Sequence, residues 1–167
     1  MELYLLRHAI ALEREEFKGD DSERPLTPEG KKKMRRIAKG LQALEISFDV
    51  LLSSPYRRAQ ETADMVAARF NIRRHLQLTD ALTPRGNRQA LIQEIAAFKG
   101  RAESIGLVGH EPYLSTLAAT LIFGRPVAGL NLKKGGVLKL TLDGIRFGRC
   151  AELDWLLTPR QLMAMAD

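Results

Sequence analysis

Apolar residues along the chain fall into two alternating patterns, short unbroken runs and longer stretches in which they recur every three or four positions. Leu3–Leu6, residues 48–53 and residues 104–109 are short apolar runs without polar alternation, the pattern of strands covered on both faces in a parallel sheet. Between them lie helical stretches. Thr27-Pro28-Glu29 reads as N-cap, first helical residue and acidic first turn, and Met34, Ile37, Ala38 and Leu41 keep helical spacing to about Leu44. Ser54-Pro55 repeats the cap-then-proline signal and predicts a helix to about Phe70, with Ala59, Ala63, Val66 and Ala67 on one stripe. A short strand at 75–79, a helix over 88–98 and a helix from Pro112 to Phe123 with Leu114, Leu117, Ala118 and Leu121 inward continue the alternation. The tail differs: 136–142 and 149–156 flank Asp143-Gly144 as an antiparallel hairpin with a loop longer than two residues, and 159–166 forms a short terminal helix. The sum is an α/β chain, a three-layer α/β/α sandwich with a mostly parallel central sheet and an antiparallel C-terminal hairpin.

At 167 residues, with no internal repeat or linker, one domain over 1–167 is expected. A lone cysteine, Cys150, rules out an internal disulfide or a paired-cysteine zinc site. No apolar run is long enough for a membrane span, and the start lacks a basic leader, so a cytoplasmic chain without membrane attachment is expected. A net charge of +6 points to an anionic partner. Lys31, Lys32, Lys33, Arg35 and Arg36 look like a nucleic-acid patch, but they alternate with the inward stripe of a helix and no aromatics interleave them for base stacking. They read as a solvated face, and no nucleic-acid partner is expected.

The chemistry gathers at strand ends, where open α/β sheets hold their ligands. Arg7 and His8 follow the first strand, Arg57 and Arg58 the second, and His110 the third of the long apolar runs. Two arginines in the first turn of a helix oppose its dipole unless an anion joins them there. A phosphate would gain both the helix N-terminus and a guanidinium fork. His8, His75 and His110 are the only histidines, and no metal-ligand cluster such as His-Glu-x-x-His occurs, which disfavours a metallohydrolase.

Leu5-Leu6-Arg7-His8-Ala9, the run Ser53-Ser54-Pro55-Tyr56-Arg57-Arg58-Ala59-Gln60-Glu61-Thr62, and Val108-Gly109-His110-Glu111-Pro112 resemble the three signature blocks of the histidine phosphatase (phosphoglycerate mutase-like) superfamily. The stretches Arg24–Gly30 and Leu82-Thr83-Pro84, with the short chain, are most similar to its SixA-type phosphohistidine phosphatases. The resemblance implies that His8 is the nucleophile and that Arg7, Arg58 and His110 bind the phosphoryl group, Arg58 rather than Arg57 matching the motif. It implies no cofactor and no metal. A neutral imidazole attacking phosphorus would split one hard displacement into two easier ones, and the field of the two arginines would keep His8 unprotonated.

Two departures stand out. The family's Arg-His-Gly is Arg7-His8-Ala9 here, and Ala81 stands where SixA-type relatives often carry an acid. The proton donor is therefore open between Asp80, Glu111 and none, with Glu111 equally readable as an acid stabilising a helix N-terminus. A phosphohistidine substrate eases the need, because imidazole leaves more readily than an alkoxide. The leading expectation is a metal-independent phosphatase acting on a phosphohistidine-containing protein, such as a phosphotransfer domain in signal transduction. A small-molecule phosphomonoesterase and a non-catalytic phosphohistidine-binding module are the alternatives, and no feature of the pattern sets an oligomeric state.

Overall fold

A computed structural model describes residues 1–166. Asp167, the end of the expected domain, lies outside the described residues. Six strands form one sheet in the order β3-β2-β4-β1-β5-β6. They are β1 (Glu2–Arg7), β2 (Val50–Ser53), β3 (Leu76–Leu78), β4 (Ser104–Gly109), β5 (Val137–Leu142) and β6 (Ala151–Leu157). β1 pairs in parallel with β4, and β2 in parallel with both β4 and β3. β5 runs antiparallel to β1 and β6 antiparallel to β5.

Alternate side chains of each strand go to opposite layers, as the pleat requires. Leu3 and Leu5 of β1 join Ile105 and Leu107 of β4 in a cluster with Leu91 and Ile95 of α3 (Arg88–Ala96) and Leu114, Leu117 and Leu121 of α4 (Tyr113–Phe123). Tyr4 and Leu6 face the other layer. There they meet Met34, Ile37 and Leu41 of α1 (Pro28–Ala43), Ala59, Ala63 and Val66 of α2 (Arg57–Arg69), and Leu162 of α5 (Pro159–Ala164). The central strands are buried on both faces, which is why their sequences do not alternate. The stripes expected for α1, α2 and α4 are the buried ones.

Local rules fix most helix ends. Thr27 caps α1 by accepting from Gly30 N at 2.9 Å, a bond whose loss costs about 1 kcal/mol. Thr158 and Gln161 form a reciprocal capping box on α5. Glycine permits two close approaches: a Cβ on Gly30 would stand 2.1 Å from Ile10 O, and one on Gly40 1.8 Å from Leu162 O. The first sets α1 against the segment that follows His8, and the second sets α1 against α5.

The start of α2 departs from the expectation. Its N-cap is Tyr56, without a side-chain cap bond, and the helix begins at Arg57 rather than directly after Ser54-Pro55. The Ser54 hydroxyl accepts Tyr56 N–H at 3.2 Å and lies 2.9 Å from His110 Nε2. The cap-like serine serves a histidine just beyond a neighbouring strand instead of the helix.

Candidate active site

β2, β4 and β1 are consecutive in the sheet, so their carboxyl ends lie side by side. This brings Ser54, His110, Arg7 and His8 to one crevice, and α2 delivers Arg58 from its first turn. His8 N donates to Gly109 O at 3.0 Å, tying the first histidine to the residue before the second. The two imidazole rings have centroids 5.2 Å apart. His8, Arg58 and His110 are all nearly inaccessible, at 6%, 4% and 2% exposure.

The His8 ring has a defined direction. Its Nδ1 lies 2.7 Å from Ala9 O, an atom that can only accept, so the ring proton sits on Nδ1 and Nε2 carries the lone pair. Arg58 Nε donates to that Nε2 at 3.3 Å. The segment is pinned by Ala9 N–H, which donates to Thr62 Oγ1 at 3.0 Å, while Thr62 donates to Arg58 O at 2.7 Å. One threonine on α2 thus connects the backbone of both His8's neighbour and Arg58. Ala9 has no positive φ and packs its methyl into the α1/α2 layer, so alanine in place of glycine imposes no backbone strain.

Arg58 spends its other nitrogens on the charged loop 12–26, whose sequence places it beside the site without giving any of its residues a role. Nη1 donates to Asp21 O at 2.8 Å, and Nη2 to Asp21 Oδ2 at 3.1 Å. Asp21 opens a 3-10 turn (Asp21–Glu23) in the charged loop 12–26, which an isolated bridge between Ala11 and Leu26 closes against the sheet end. Arg57 points elsewhere, pairing with Glu61 on its own helix at 3.1 Å and remaining half exposed.

Arg7 reaches Leu132 O with Nη1 at 3.1 Å, and its buried Nε has no partner. His110 also has an unpartnered buried nitrogen, Nδ1. We assign the Ser54 hydroxyl proton to the His110 Nε2 contact, an assignment that leaves the His110 ring proton on Nδ1. Unsatisfied buried polar atoms are rare, and two at the mouth of a cluster holding two guanidinium groups are the donor set an oxyanion would satisfy. The Tyr56 ring borders the group, 5.2 Å from the His110 ring and 5.1 Å from the Arg58 guanidinium carbon.

Burial, more than charge, sets the protonation states. His8 is held well below its ordinary value, first by burial and then by His110, Arg58 and Arg7, against the opposing bond to Ala9 O. The expected field of the two arginines acts in this direction, as a smaller contribution beside burial. His110 is pushed down to about 3, by burial first and Arg58 next, with Asp21 opposing. Both imidazoles are neutral at pH 7.

The two candidate proton donors part company. Glu111 Oε1 accepts from Ser115 N at 2.8 Å, capping the first turn of α4, and its charge supports Arg7 against the burial that lowers the guanidinium's pKa. Asp80 is exposed on a 3-10 turn (Asp80–Leu82), and among the described residues no hydrogen bond or ion pair ties its carboxylate to the histidine cluster. Among the described residues there is also no group of three His, Cys, Asp or Glu side chains suited to a metal ion, and no helix long and apolar enough to cross a membrane.

Comparison with known proteins agrees with the geometry. The histidine phosphatase superfamily (branch 1) model matches residues 3–87. An uncharacterized protein of Picosynechococcus sp. is 35% identical over 166 residues, covering 98% of this chain and 99% of its own. The phosphohistidine phosphatase SixA of Escherichia coli is 28% identical over 164 residues, 97% of this chain and 96% of its own. Among solved structures, that of the protein histidine phosphatase SixA complexed with tungstate matches with a TM-score of 0.82 at 26% identity, covering 97% of this chain and 99% of that one. The strand-end histidines, the first-turn arginine and these matches have one reading: the chain belongs to the histidine phosphatase superfamily, branch 1, and resembles its SixA-type members along nearly its whole length.

Proposed function

We propose that the protein is a metal-independent phosphatase that takes a phosphoryl group from protein phosphohistidine onto His8 Nε2 and then yields it to water. The observation that carries this reading is the His8 ring itself. Its Nδ1 proton is engaged by Ala9 O, burial keeps it neutral, and its Nε2 lone pair faces the cluster of cationic and neutral donors. In the first step the Nε2–P bond forms as the bond from phosphorus to the leaving nitrogen breaks, roughly in line, and the substrate imidazole, protonated on its other ring nitrogen, departs as neutral imidazole. The guanidinium groups of Arg7 and Arg58 and the Nδ1–H of His110 bind the equatorial oxygens and offset charge in a water-poor site. Water then attacks the phosphohistidine and releases phosphate.

Phosphohistidine is favoured over alkyl esters because neither candidate carboxyl group, Glu111 nor Asp80, is placed to protonate a poor leaving group. Glu111 is occupied as a helix cap, and Asp80 is solvated. The similarity to SixA proteins named as phosphohistidine phosphatases supports the same substrate class. A partner carrying its phosphohistidine on an exposed surface, as a phosphotransfer domain does, suits a site at the rim of a sheet. The test is turnover of a phosphohistidine protein beside a panel of alkyl and aryl phosphates in the presence of a chelator. Fast phosphohistidine turnover that survives chelation is expected. Preference for alkyl esters, or loss of activity on chelation, would overturn the reading.

A further inference from the structure

We propose that Asp21 is a positioning residue that selects which edge of the Arg58 guanidinium faces the reacting phosphoryl group. The inference rests on the reading of His8 as nucleophile and extends it to a loop outside the three signature blocks.

A guanidinium presents its N–H donors in a rigid planar fork, so fixing two nitrogens fixes the third. Asp21 takes both terminal nitrogens of Arg58, Nη1 through its main-chain oxygen and Nη2 through Oδ2. The Nε–H is left directed at His8 Nε2. A phosphoryl group bound to that Nε2 therefore meets the side edge of Arg58, Nε with the adjacent terminal N–H, rather than the end of the fork. Two such donors can engage one phosphoryl oxygen pair in bidentate fashion.

Asp21 is itself braced. Its second oxygen, Oδ1, accepts from Arg24 Nε at 2.9 Å, and Arg24 Nη1 donates to Leu12 O at 2.6 Å. Asp20 holds the turn by accepting Ser22 N–H at 2.9 Å. Arg14 Nε stands 4.0 Å from Asp21 Oδ1 on the exposed side. The carboxylate is thus a bridge between two guanidinium groups that would otherwise repel each other.

A proton-donor role for Asp21 is disfavoured by the same contacts. Burial alone would raise its pKa, but the Arg24 hydrogen bond and the Arg58 charge outweigh this and hold it below the usual carboxylate value. Both oxygens accept from cations, and at pH 7 the group has no proton to give.

The test is a double-mutant cycle between Asp21 and Arg58, read by single-turnover rates with p-nitrophenyl phosphate at high enzyme concentration. Thermal melts of each variant confirm that it is folded. Asp21→Ala should lower kcat by about tenfold to 10²-fold, the cost of misplacing a catalytic group by roughly an ångström, with KM changed much less. Asp21→Asn should lose nearly as much, because an amide cannot accept from both guanidinium groups, and Asp21→Glu should recover part of the loss. In an Arg58→Ala background, removing Asp21 should cost nothing further, since its effect passes through Arg58. Losses that multiply in the double variant, or an Asp21→Ala enzyme with unchanged kcat, would overturn the proposal. Full activity in His8→Ala would instead overturn the nucleophile reading, so the two failures are distinguishable.

Discussion

Arg58 Nε donates to His8 Nε2 across 3.3 Å, joining the first turn of α2 to the end of β1 across fifty residues of sequence. A cation beside an imidazole lone pair opposes protonation of the ring and, in the proposed mechanism, binds the incoming phosphoryl group. The neighbouring Arg57 spends its charge on Glu61 at the surface. Arg58→Ala should therefore lose on the order of 10²-fold or more in kcat/KM, the scale of one preorganised donor. Arg57→Ala should change it little. Equal losses in steady-state assays of the two variants would contradict this helix phase.

The histidines also make a pH prediction. His110 has a folded-state pKa of about 3 against an ordinary 6.5, and His8 is likewise depressed. Below pH 6.5 the unfolded chain binds protons at these positions that the folded chain refuses, so stability is complete above that value and falls as pH drops through it. Thermal melts between about pH 6.5 and 5, above most of the carboxylate range, should show a declining Tm. His110→Gln should flatten that decline; an unchanged slope would show that burial of His110 is not its source.

For activity the sign is the same but the window differs. In the proposed mechanism neutral His8 is the reactive form, and its pKa lies well below the ordinary histidine value. The acid limb of kcat/KM should accordingly fall well below pH 6.5. A limb centred at the ordinary value in a pH–rate profile would mean that the imidazole is not desolvated as the structure has it.

Glu111 should behave as a cap rather than an acid. Glu111→Ala should cost roughly 1 kcal/mol of stability from the lost bond to Ser115 N, measurable by urea unfolding. Neither Glu111→Gln nor Asp80→Asn should slow phosphohistidine turnover by more than a few-fold. A selective, large loss on alkyl phosphates in either variant would identify that residue as a general acid.

The sequence made the strand ends legible because burial on both faces leaves an unmistakable run of apolar residues, and the residues just beyond Leu6, Ser53 and Gly109 are where such strands must surface. The stripes of α1, α2 and α4 were equally readable from spacing. Asp21 was not, because a carboxylate in a charged loop has no periodicity and its partner is 37 residues away. Ser54 was misread as a helix cap, since cap chemistry and histidine support use the same hydroxyl. For His8 the sequence shows one cause of the depressed pKa, the two arginines, whereas the burial that outweighs them is a property of the packed sheet end.

The central claim is that His8 Nε2 becomes covalently phosphorylated. Rapid quench with substrate labelled in the phosphoryl group, followed by mapping of the adduct, tests it directly. An acid-labile, base-stable adduct on His8, formed and consumed at rates compatible with turnover and absent in His8→Ala, is the expected result. Turnover without such an adduct under single-turnover conditions, together with activity surviving in His8→Ala, would contradict it.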